Sequence, residues 1–354
     1  MKILINGKIL FKNITGVERY ARETLLELDK KIKYHQFKLV IPSYYDEKEL
    51  PDFKNFEIFK LDGYKKEVLW EQLSLAKFAK MNSAIIVSFD FATPIMYPGV
   101  STIHDMSFRT NKKFFKNSLK QQMVRYKLEL YCHSAVRSKN FIFTVSEFQK
   151  NEIQRYYHIE ENRVIVAGNG WQHFNRVGED DSVLDENQLV PDKFYFSLSS
   201  NTENKNFKWI YEVAKENKDS IFVIVGGRTS ISPDDLKSEK NIIYLGYQSD
   251  ERVKSLYKNC KAFIFPSFYE GFGIPPMEAL SVGAKVILSN TSCLPEIYGE
   301  SAYYINPNNP HVNLEELMER RSVLDADQVL NKYGWDKTAD IWLEYLEKIK
   351  CGGI

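Results

Sequence analysis

The stretch Glu270-Gly-Phe-Gly-Ile-Pro-Pro-Met-Glu278 decides how the second half of the chain can fold. It follows the apolar run 262–266, which has the length and composition of a buried strand. The two prolines suit the first turn of a helix, where a missing amide N–H costs no hydrogen bond. The stretch therefore predicts a strand, a glycine-rich loop and a helix, in that order.

This loop is suited to hold an anion. A helix N-terminus presents unpaired backbone amides and a partial positive charge, and both favour phosphate. Gly271 and Gly273 would let such a group approach the backbone. The carboxylates of Glu270 and Glu278 would repel a phosphate, so we expect them to face neutral hydroxyls, those of a sugar and a ribose. The same spacing also fits two surface glutamates around an ordinary turn.

The stretch resembles the Glu–seven–Glu motif of the retaining family-four glycosyltransferases. The surrounding sequence, FPSFYEGFGIPPMEALSVGAKVILSN followed by LPEIYGESAYYINP, is similar to that family too. The resemblance implies an α/β protein of GT-B fold, with two facing Rossmann-like domains, parallel sheets and a C-terminal crossover helix. It also implies that Glu270 approaches the donor sugar and Glu278 holds the ribose. Donor binding would extend over the loop residues Gly271, Phe272, Gly273 and Ile274.

Composition excludes several other classes of protein. The 48 basic residues balance 47 acidic ones, so the protein has no net positive charge of the kind that would indicate a nucleic-acid partner. The apolar runs are strand-length, and residues 1–7 read as a first strand rather than a signal peptide. Four cysteines lie far apart without metal-type spacing, which indicates reduced thiols. These features predict a cytoplasmic protein.

The first half of the chain alternates short β-rich runs with helical sequence. Such runs lie at 38–41, 84–87, 101–103 and 141–145, and their alternation predicts a parallel sheet. The opening strand leads through loop 12–16 into a helix, without a dinucleotide fingerprint. In the resembling family this loop faces the donor phosphates or the acceptor, which implies a donor-binding role for Gly16. A plain tight turn is the alternative.

Two polar residues, His104 and Asp105, follow one of the predicted strands. The segment Ile103-His-Asp-Met-Ser-Phe108 resembles one found in bacterial surface-polysaccharide mannosyl- and rhamnosyltransferases. The resemblance implies that His104 contacts the donor sugar. We expect Asp105 to lie on the acceptor or membrane side. A purely structural histidine remains the alternative. Ser146, which also lies in a family-like segment, could equally cap the helix that follows it.

The stretch from His104 to Lys139 is strongly basic, with nine basic residues and two acidic ones. Lys112, Lys113 and Lys116 surround a pair of phenylalanines within it. This pattern predicts either a peripheral element that meets anionic lipid, at the inner face of the plasma membrane, or a solvated helix face.

The pattern divides the chain into four parts. We expect an acceptor-side domain at 1–172, an acid-rich linker at 173–192 and a nucleotide-sugar domain at 193–334. The resemblance implies that the last helix, at 335–354, packs back on the first domain.

A loop near the start of the second domain resembles the family's diphosphate-gripping loop. Lys205 matches the family's lysine, whereas Ser200 and Asn204 stand where arginines are common. Without the resemblance, a lysine such as Lys205 would more often be an ordinary surface residue. The asparagine at position 204, in place of the family's arginine, weakens the expectation of tight donor binding. The resemblance also places Tyr247 beside the nucleotide base, with ordinary packing as the alternative.

The resemblance implies a retaining hexosyltransferase. It would move a mannose- or rhamnose-type sugar from a nucleoside-diphosphate donor to a glycan or lipid-linked acceptor, with His104, Lys205 and Glu270 as catalytic residues. No Asp-x-Asp motif is present, so we expect neither a metal nor a further cofactor. A sugar-nucleotide epimerase and a non-catalytic nucleotide-sugar-binding subunit remain alternatives. The sequence leaves the base, the sugar, the acceptor and the oligomeric state open.

Overall fold

A computed structural model describes residues 2–116, 118–199, 202–227, 239–319 and 323–352. The chain forms two compact units. The first contains Met1–Gly170 together with Gly334–Ile354, and the second contains Trp171–Tyr333.

The strands of the first unit pair in parallel. One sheet has the order β3-β2-β1-β4 and the other β5-β6-β7. A parallel bridge from Val87 to Val100 connects β4 with the chain entering β5. Their bounds are β1 (Lys2–Asn6), β2 (Lys38–Pro42), β3 (Glu57–Leu61), β4 (Ala84–Val87), β5 (Ser101–Ile103), β6 (Ile142–Thr144) and β7 (Val164–Val166).

The helices of the first unit connect these strands. Between α2 and α3 the chain forms a π-helical turn, Trp70–Leu75. The others are α1 (Gly16–Lys31), α2 (Glu67–Leu69), α3 (Ala76–Met81), α4 (Ser107–Thr110), α5 (Leu119–Arg137) and α6 (Glu147–Tyr157).

The second unit contains one parallel sheet of order β10-β9-β8-β11-β12-β13. The order reverses between β8 and β11, and ligands of open α/β sheets bind beyond the carboxyl ends of the strands at such a reversal. The bounds are β8 (Phe194–Ser199), β9 (Ile221–Gly226), β10 (Ile242–Gly246), β11 (Ala262–Phe265), β12 (Val286–Ser289) and β13 (Tyr303–Ile305).

Helices cover this second sheet. Trp209, Ile210 and Val213 of one of them are buried in an apolar cluster with strand residues Phe222 and Ile264. The helices are α7 (Ser182–Glu186), α8 (Phe207–Glu216), α9 (Asp250–Asn259), α10 (Ile274–Ser281), α11 (Leu294–Tyr298), α12 (Leu314–Glu319) and α13 (Asp327–Leu330).

The segment expected to be a linker, residues 173–192, lies within the second unit and contains α7. Val183 and Leu184 of α7 are buried. The acids that suggested a solvated linker bind side chains of α9: Asp180 and Glu186 pair with Arg252, and Glu179 with Lys258. The acidic composition therefore reflects complementarity to a basic helix face.

The last helix, α14 (Trp335–Lys350), belongs to the first unit. Trp342 is fully buried, donates from Nε1 to the hydroxyl of Tyr20 at 2.8 Å and stacks on Phe143 with ring centroids 3.5 Å apart. Lys31 of α1 also pairs with Asp340. Overall, the expectation of an α/β fold with parallel sheets is confirmed. Among the helices described, none has the length and apolar character needed to span a bilayer.

Candidate active site

The predicted strand, loop and helix around Glu270 are present as β11, the loop 266–273 and α10. Gly273 ends the loop with φ of +89°, a left-handed conformation that favours glycine. A Cβ atom there would also lie 2.9 Å from Leu294 Cδ2. Pro275 occupies the first turn of α10, as expected. The loop lies at the carboxyl end of β11, next to the reversal in strand order.

Glu270 and Lys205 form an ion pair in this loop region. Lys205 Nζ lies 2.7 Å from Glu270 Oε1, and the carboxylate is largely buried. The ammonium also lies 4.9 Å from the centre of the Phe265 ring. The Glu270 backbone is held as well, because its N–H donates to Ser292 Oγ at 3.1 Å. The two residues predicted to serve the sugar and the diphosphate are therefore neighbours.

Two asparagines beside Lys205 fix its loop against the loop of Glu270. Asn204 Nδ2 donates to the carbonyl of Tyr269 at 2.6 Å, and the Asn204 carbonyl accepts from Phe268 N at 2.9 Å. Asn206, with φ of 52°, donates to the carbonyl of Pro266 at 3.0 Å. Asn204, which stands where the family often has arginine, thus acts as a structural clamp between the two loops.

Glu278 has a partner that the sequence did not suggest. His173 Nε2 lies 2.8 Å from Glu278 Oε1, and both side chains are buried. His173 lies on the 3₁₀ turn Gln172–Arg176, in the segment expected to be a linker. The neighbouring Trp171 anchors this turn by donating from Nε1 to the Leu330 carbonyl at 3.0 Å. No spacing rule connects residue 173 with residue 278, so only the fold reveals the pair.

The other predicted donor residues of the second unit are spread out. Phe272 is buried and packs edge-on against Tyr333, and Ile274 is buried at the start of α10. Tyr247 follows β10, which β9 and β8 separate from β11, and its side chain is 88% exposed. Ser200 lies outside the described residues. The structure therefore joins Lys205, Glu270 and the glycine loop, and leaves Tyr247 at the far edge of the sheet.

His104 is buried in the first unit. Its Nε2 donates to the Phe89 carbonyl at 2.8 Å, and its ring packs edge-on against Tyr20. Burial lowers the pKa of this imidazole below its ordinary value. Residues of its own unit surround the ring of His104 and bind one of its nitrogens. This environment favours the structural alternative for His104. The predicted contact of His104 with the donor sugar stays a prediction.

The remaining predicted residues of the first unit lie near helix starts. Asp105 Oδ1 accepts from the N–H of Ser107, the first residue of α4, at 2.8 Å. Gly16 is the exposed first residue of α1. Lys112, Lys113 and Lys116 are exposed on and beside the 3₁₀ turn that precedes α5. Ser146 caps α6 by accepting from Gln149 N, so the capping alternative for it is confirmed.

Within the described ranges, no group of three or more His, Cys, Asp and Glu side chains is placed to hold a metal ion. The charged groups around the glycine loop are instead one lysine and two buried carboxylates, each carboxylate with a cationic or hydrogen-bonding partner. Such a set can bind an anion through Lys205 and the start of α10, and neutral hydroxyls through Glu270 and Glu278.

Comparison with known proteins agrees with this chemistry. Residues 181–320 match the family of glycosyl transferases group 1. The chain carries a group 1 glycosyltransferase domain. The matched range contains Lys205, Glu270 and Glu278, whereas His173 precedes it. The resemblance seen in the sequence is thereby confirmed.

The curated relatives include bacterial mannosyltransferases. The chain is 30% identical over 224 residues to the O-antigen chain mannosyltransferase B of Escherichia coli, covering 59% of this chain. It spans 58% of the length of that relative, little more than half. It is also 24% identical over 267 residues to the O-antigen chain mannosyltransferase RfbU of Salmonella typhimurium, covering 73% of this chain and 70% of RfbU.

Solved structures extend the likeness to the whole fold. The Anabaena HepE protein, solved with UDP and glucose, aligns over 98% of this chain and 99% of its own with a TM-score of 0.67. Identity over that alignment is 16%, so the likeness concerns the fold. The α/β architecture with parallel sheets is that of the GT-B glycosyltransferases.

Proposed function

We propose that the protein is a retaining glycosyltransferase that moves a hexose of mannose or rhamnose type from a nucleoside-diphosphate sugar to a hydroxyl group. The acceptor would be a glycan or a lipid-linked sugar in the synthesis of a surface polysaccharide. The observation that carries this proposal is the Lys205–Glu270 pair beside the glycine loop, at the reversal in strand order of the second unit.

The ion pair suggests how the donor would be received. Without ligand, Lys205 neutralises a largely buried carboxylate at 2.7 Å. An incoming diphosphate offers more negative charge than Glu270 and would attract the flexible lysine, a compact point charge. Glu270 would then accept hydrogen bonds from the hydroxyls of the donor sugar. Binding of the diphosphate to Lys205 would thus release the Glu270 carboxylate, which could then bind the donor sugar.

The cradle would stabilise the leaving group. Lys205 and the first amides of α10 would hold the negative charge that develops on the diphosphate as the glycosidic bond breaks. We propose front-side attack by the acceptor through an oxocarbenium-like transition state, which retains the anomeric configuration. The protein would contribute charge stabilisation and orientation, with neither a metal ion nor a further cofactor.

Glu278 would hold the ribose, with His173 as its support. A buried carboxylate costs free energy unless it is hydrogen-bonded, and His173 supplies such a bond at 2.8 Å. The imidazole also fixes the direction in which the carboxylate points. We propose that this pair presents an acceptor oxygen to a ribose hydroxyl.

Two relatives named as O-antigen mannosyltransferases support a mannose-type donor. The rhamnose-type donor is supported only by the resemblance of segment 103–108. HepE, which has the same fold, was solved with UDP and glucose, so the fold alone does not identify the base or the sugar of the donor. A thermal-shift comparison of UDP, GDP and dTDP would identify the base. A nucleotide at one hundred times its Kd adds about 2.7 kcal/mol to folded-state stability.

Two other functions share the architecture and are separated by simple assays. A sugar-nucleotide epimerase would consume donor in the absence of acceptor. A non-catalytic subunit would be stabilised by nucleotide without turning donor over. Stabilisation by one nucleotide together with acceptor-dependent turnover would support the transferase. Donor consumption without acceptor would indicate an epimerase, and nucleotide binding without turnover would indicate a non-catalytic subunit.

We also propose that the first unit associates with anionic membrane at the inner face of the plasma membrane. Four apolar side chains of α5 are each more than half exposed, at spacings of four, three and four residues. They form one stripe along the helix: Leu119, Met123, Tyr126 and Leu130. The opposite face of α5 buries Tyr131, Cys132 and Ala135, so the stripe is not needed for the core.

Charge favours lipid over a second copy of the protein as the occupant of this stripe. Lys112, Lys113 and Lys116 are exposed just before α5, and Lys120 and Lys127 are exposed on it. Two copies pairing through the stripe would bring these like charges together, whereas anionic headgroups would balance them. An apolar stripe bordered by lysines is typical of a helix lying in the membrane interface.

A further inference from the structure

The loop of Glu270 is held by one short segment of the same unit, the turn 290–293 together with α11. The carboxyl ends of β11 and β12 lie side by side, since Phe265 pairs with Leu288 in the parallel sheet. The chain that leaves β12 therefore passes directly beside the chain that leaves β11. Side chains of this segment bind the backbone of loop 266–273 at several places.

Two of these bonds hold the peptide groups of Glu270 itself. The Glu270 N–H donates to Ser292 Oγ at 3.1 Å. On the other side, Cys293 Sγ lies 3.3 Å from the Glu270 carbonyl oxygen, to which its S–H donates. The backbone of Glu270 is thus fixed through both its N–H and its carbonyl. Since the carboxylate that pairs with Lys205 projects from this backbone, the two bonds also limit where the carboxylate can lie.

Cys293 contributes a hydrogen-bond donor rather than a thiolate. Its side chain is fully buried. Burial raises the pKa of the thiol well above its ordinary value, and the negative charge of Glu270 adds to this effect. The thiol therefore keeps its proton, and a thiol S–H is a weak donor. A protonated thiol is the form that a backbone carbonyl can accept from.

Ser292 has a backbone conformation that suits glycine better than serine. Its φ is 54°, in the left-handed region that residues other than glycine rarely adopt. Such residues persist where the surrounding structure holds them, and they are frequent at functional sites. Glycine would adopt this conformation freely but would bring no hydroxyl group. Serine at this position supplies the oxygen that accepts from Glu270 N–H.

The other bonds of the segment hold the two ends of the loop. Thr291 Oγ1 lies 3.3 Å from the Phe268 carbonyl oxygen, and the buried Tyr298 hydroxyl donates to the Gly273 carbonyl. These bonds support the loop but do not involve the peptide groups of Glu270. Ser292 and Cys293 are therefore the two side chains of the segment that act on Glu270 directly.

We infer that Ser292 and Cys293 are positioning residues for Glu270 in the transfer reaction. This inference rests on the proposed function, because it concerns the carboxylate assigned to the donor sugar. The two side chains act through the backbone of Glu270 and not by contact with a substrate. They hold the carboxylate in place before the sugar hydroxyls arrive, and preorganised groups of this kind act mainly in the transition state. Their loss should therefore lower kcat and leave nucleotide affinity unchanged.

The test compares two substitutions of Ser292 in the full chain. Ser292→Gly removes the hydroxyl without straining the backbone, because glycine suits a φ of 54°. Ser292→Asn also tolerates this conformation and restores a side-chain oxygen as acceptor. We expect Ser292→Gly to lower kcat about tenfold, since a misplacement of about 1 Å can lower a rate about a hundredfold. Ser292→Asn should recover part of this loss. Affinity for UDP, GDP or dTDP should not change, because these nucleotides carry no donor sugar.

A second pair of variants and a control complete the comparison. Cys293→Ala removes the donor and should lower kcat, whereas Cys293→Ser retains an O–H donor and should recover part of it. The matched control is Ser301→Gly, at a buried serine of the same unit whose Oγ donates to the Asp325 carbonyl at 3.0 Å. This variant loses a bond between a side chain and the backbone away from Glu270, so it should keep the wild-type kcat.

Hydrogen exchange measured by mass spectrometry tests the contact itself, without ligand. Peptides covering 266–273 should exchange faster in Ser292→Gly than in the wild type, because the Glu270 N–H loses its acceptor. The same peptides should be unchanged in Ser301→Gly. Equal exchange in Ser292→Gly and the wild type would overturn the inference. Faster exchange with an unchanged kcat would also overturn it, since the bond would then be structural only.

The inference and the proposed function fail in different ways. If the wild type transfers sugar and Ser292→Gly keeps its kcat, the inference is wrong and the transferase assignment stands. If the wild type binds a nucleotide sugar without turnover, the assignment is wrong, and affinity decides the inference. Ser292→Gly should then lose the extra affinity that the sugar adds over the bare nucleotide, and an unchanged difference would refute the positioning role. Absence of any nucleotide-sugar binding would contradict both.

Discussion

His173 Nε2 lies 2.8 Å from Glu278 Oε1, and this contact connects the start of the second unit to the helix of its glycine loop. Both side chains are buried, so water cannot easily replace either of them as the hydrogen-bond partner of the other. The pair makes Glu278 a positioned carboxylate rather than a surface one. It also gives the first testable consequence of the structure.

Removing His173 should weaken nucleotide binding through Glu278. His173→Ala would leave a buried acceptor without its partner, which costs about 1–3 kcal/mol of stability. His173→Gln retains a donor and should recover part of the nucleotide binding, and Glu278→Gln should weaken nucleotide binding as well. Nucleotide titration by calorimetry measures the effect. His311→Ala, at an exposed histidine of the same unit, is the control. Unchanged nucleotide affinity in His173→Ala would refute the positioning role.

Gly273 should tolerate alanine less well than Gly283. Both residues have left-handed backbone, with φ of +89° and +84°. Only at Gly273 would the new Cβ meet a neighbour, Leu294 Cδ2 at 2.9 Å, whereas Gly283 has open space. Gly273→Ala should therefore cost about 1 kcal/mol more in urea unfolding than Gly283→Ala. Equal losses would show that the loop accommodates the added methyl group.

His104 should contribute to acid sensitivity of the fold. Burial lowers the pKa of His104 in the folded protein. As pH falls, the unfolded chain therefore takes up a proton on this histidine before the folded protein does, and unfolding becomes more favourable. Stability from this group is present above the unfolded pKa of about 6.5 and is lost as pH falls towards the folded value. His104→Gln keeps a donor for the Phe89 carbonyl and cannot titrate. Thermal unfolding between pH 8 and pH 5 should therefore show a flatter profile for this variant, and identical profiles would contradict the account. His158→Gln, at an exposed histidine, is the control.

The stripe on α5 should bind anionic vesicles. Cosedimentation with phosphatidylglycerol vesicles should be seen at 0.1 M salt and fade at 1 M, because the Debye length falls from about 10 Å to about 3 Å. Charge reversal at Lys112, Lys113 and Lys116 should abolish it, and Leu119→Ser with Met123→Ser should weaken it at constant charge.

The control for this experiment reverses three exposed lysines elsewhere in the first unit, Lys33, Lys48 and Lys65. If this control loses binding equally, net charge alone is responsible and the stripe is not a docking surface. Absence of vesicle binding at low salt, with a dimer in sedimentation analysis, would assign the stripe to a second copy instead.

Much of the fold could be predicted because it depends on local patterns. The apolar runs at 84–87 and 101–103 coincide with β4 and β5, and the glycine and proline positions predict the turn into α10. Strand β3 was not predicted, because its sequence Glu57-Ile-Phe-Lys-Leu61 is charged and only partly buried at the edge of the sheet.

The parts of the site that could not be predicted depend on contacts between distant residues. His173 lies 105 residues from Glu278, in a segment whose acids suggested a solvated linker. In the sequence, Asn204 stands where the family often has an arginine, so it suggested only a missing positive charge. In the structure its side chain binds the backbone of Tyr269 and holds two loops together. The family resemblance supplied Glu270 and Lys205 but not their mutual ion pair, which depends on how two loops pack.

Lys205 should matter more than another paired lysine of the same unit. Lys205→Ala removes the cation proposed to stabilise the leaving diphosphate, which should cost on the order of 2–4 kcal/mol in kcat/KM. Lys261→Ala, which breaks the more exposed pair with Glu315, should leave turnover unchanged. A loss below about threefold for Lys205→Ala would mean that other groups hold the diphosphate.

The most direct test of the central claim is NMR of the reaction product. The purified protein would be incubated with GDP-mannose or dTDP-rhamnose and a methyl α-glycoside acceptor, and the anomeric configuration of the new linkage would be read from its coupling constants. We expect acceptor-dependent transfer with retention of the donor's configuration, and a strong loss of turnover in Glu270→Gln. An inverted product, donor consumed without acceptor, or full activity in Glu270→Gln would contradict the account.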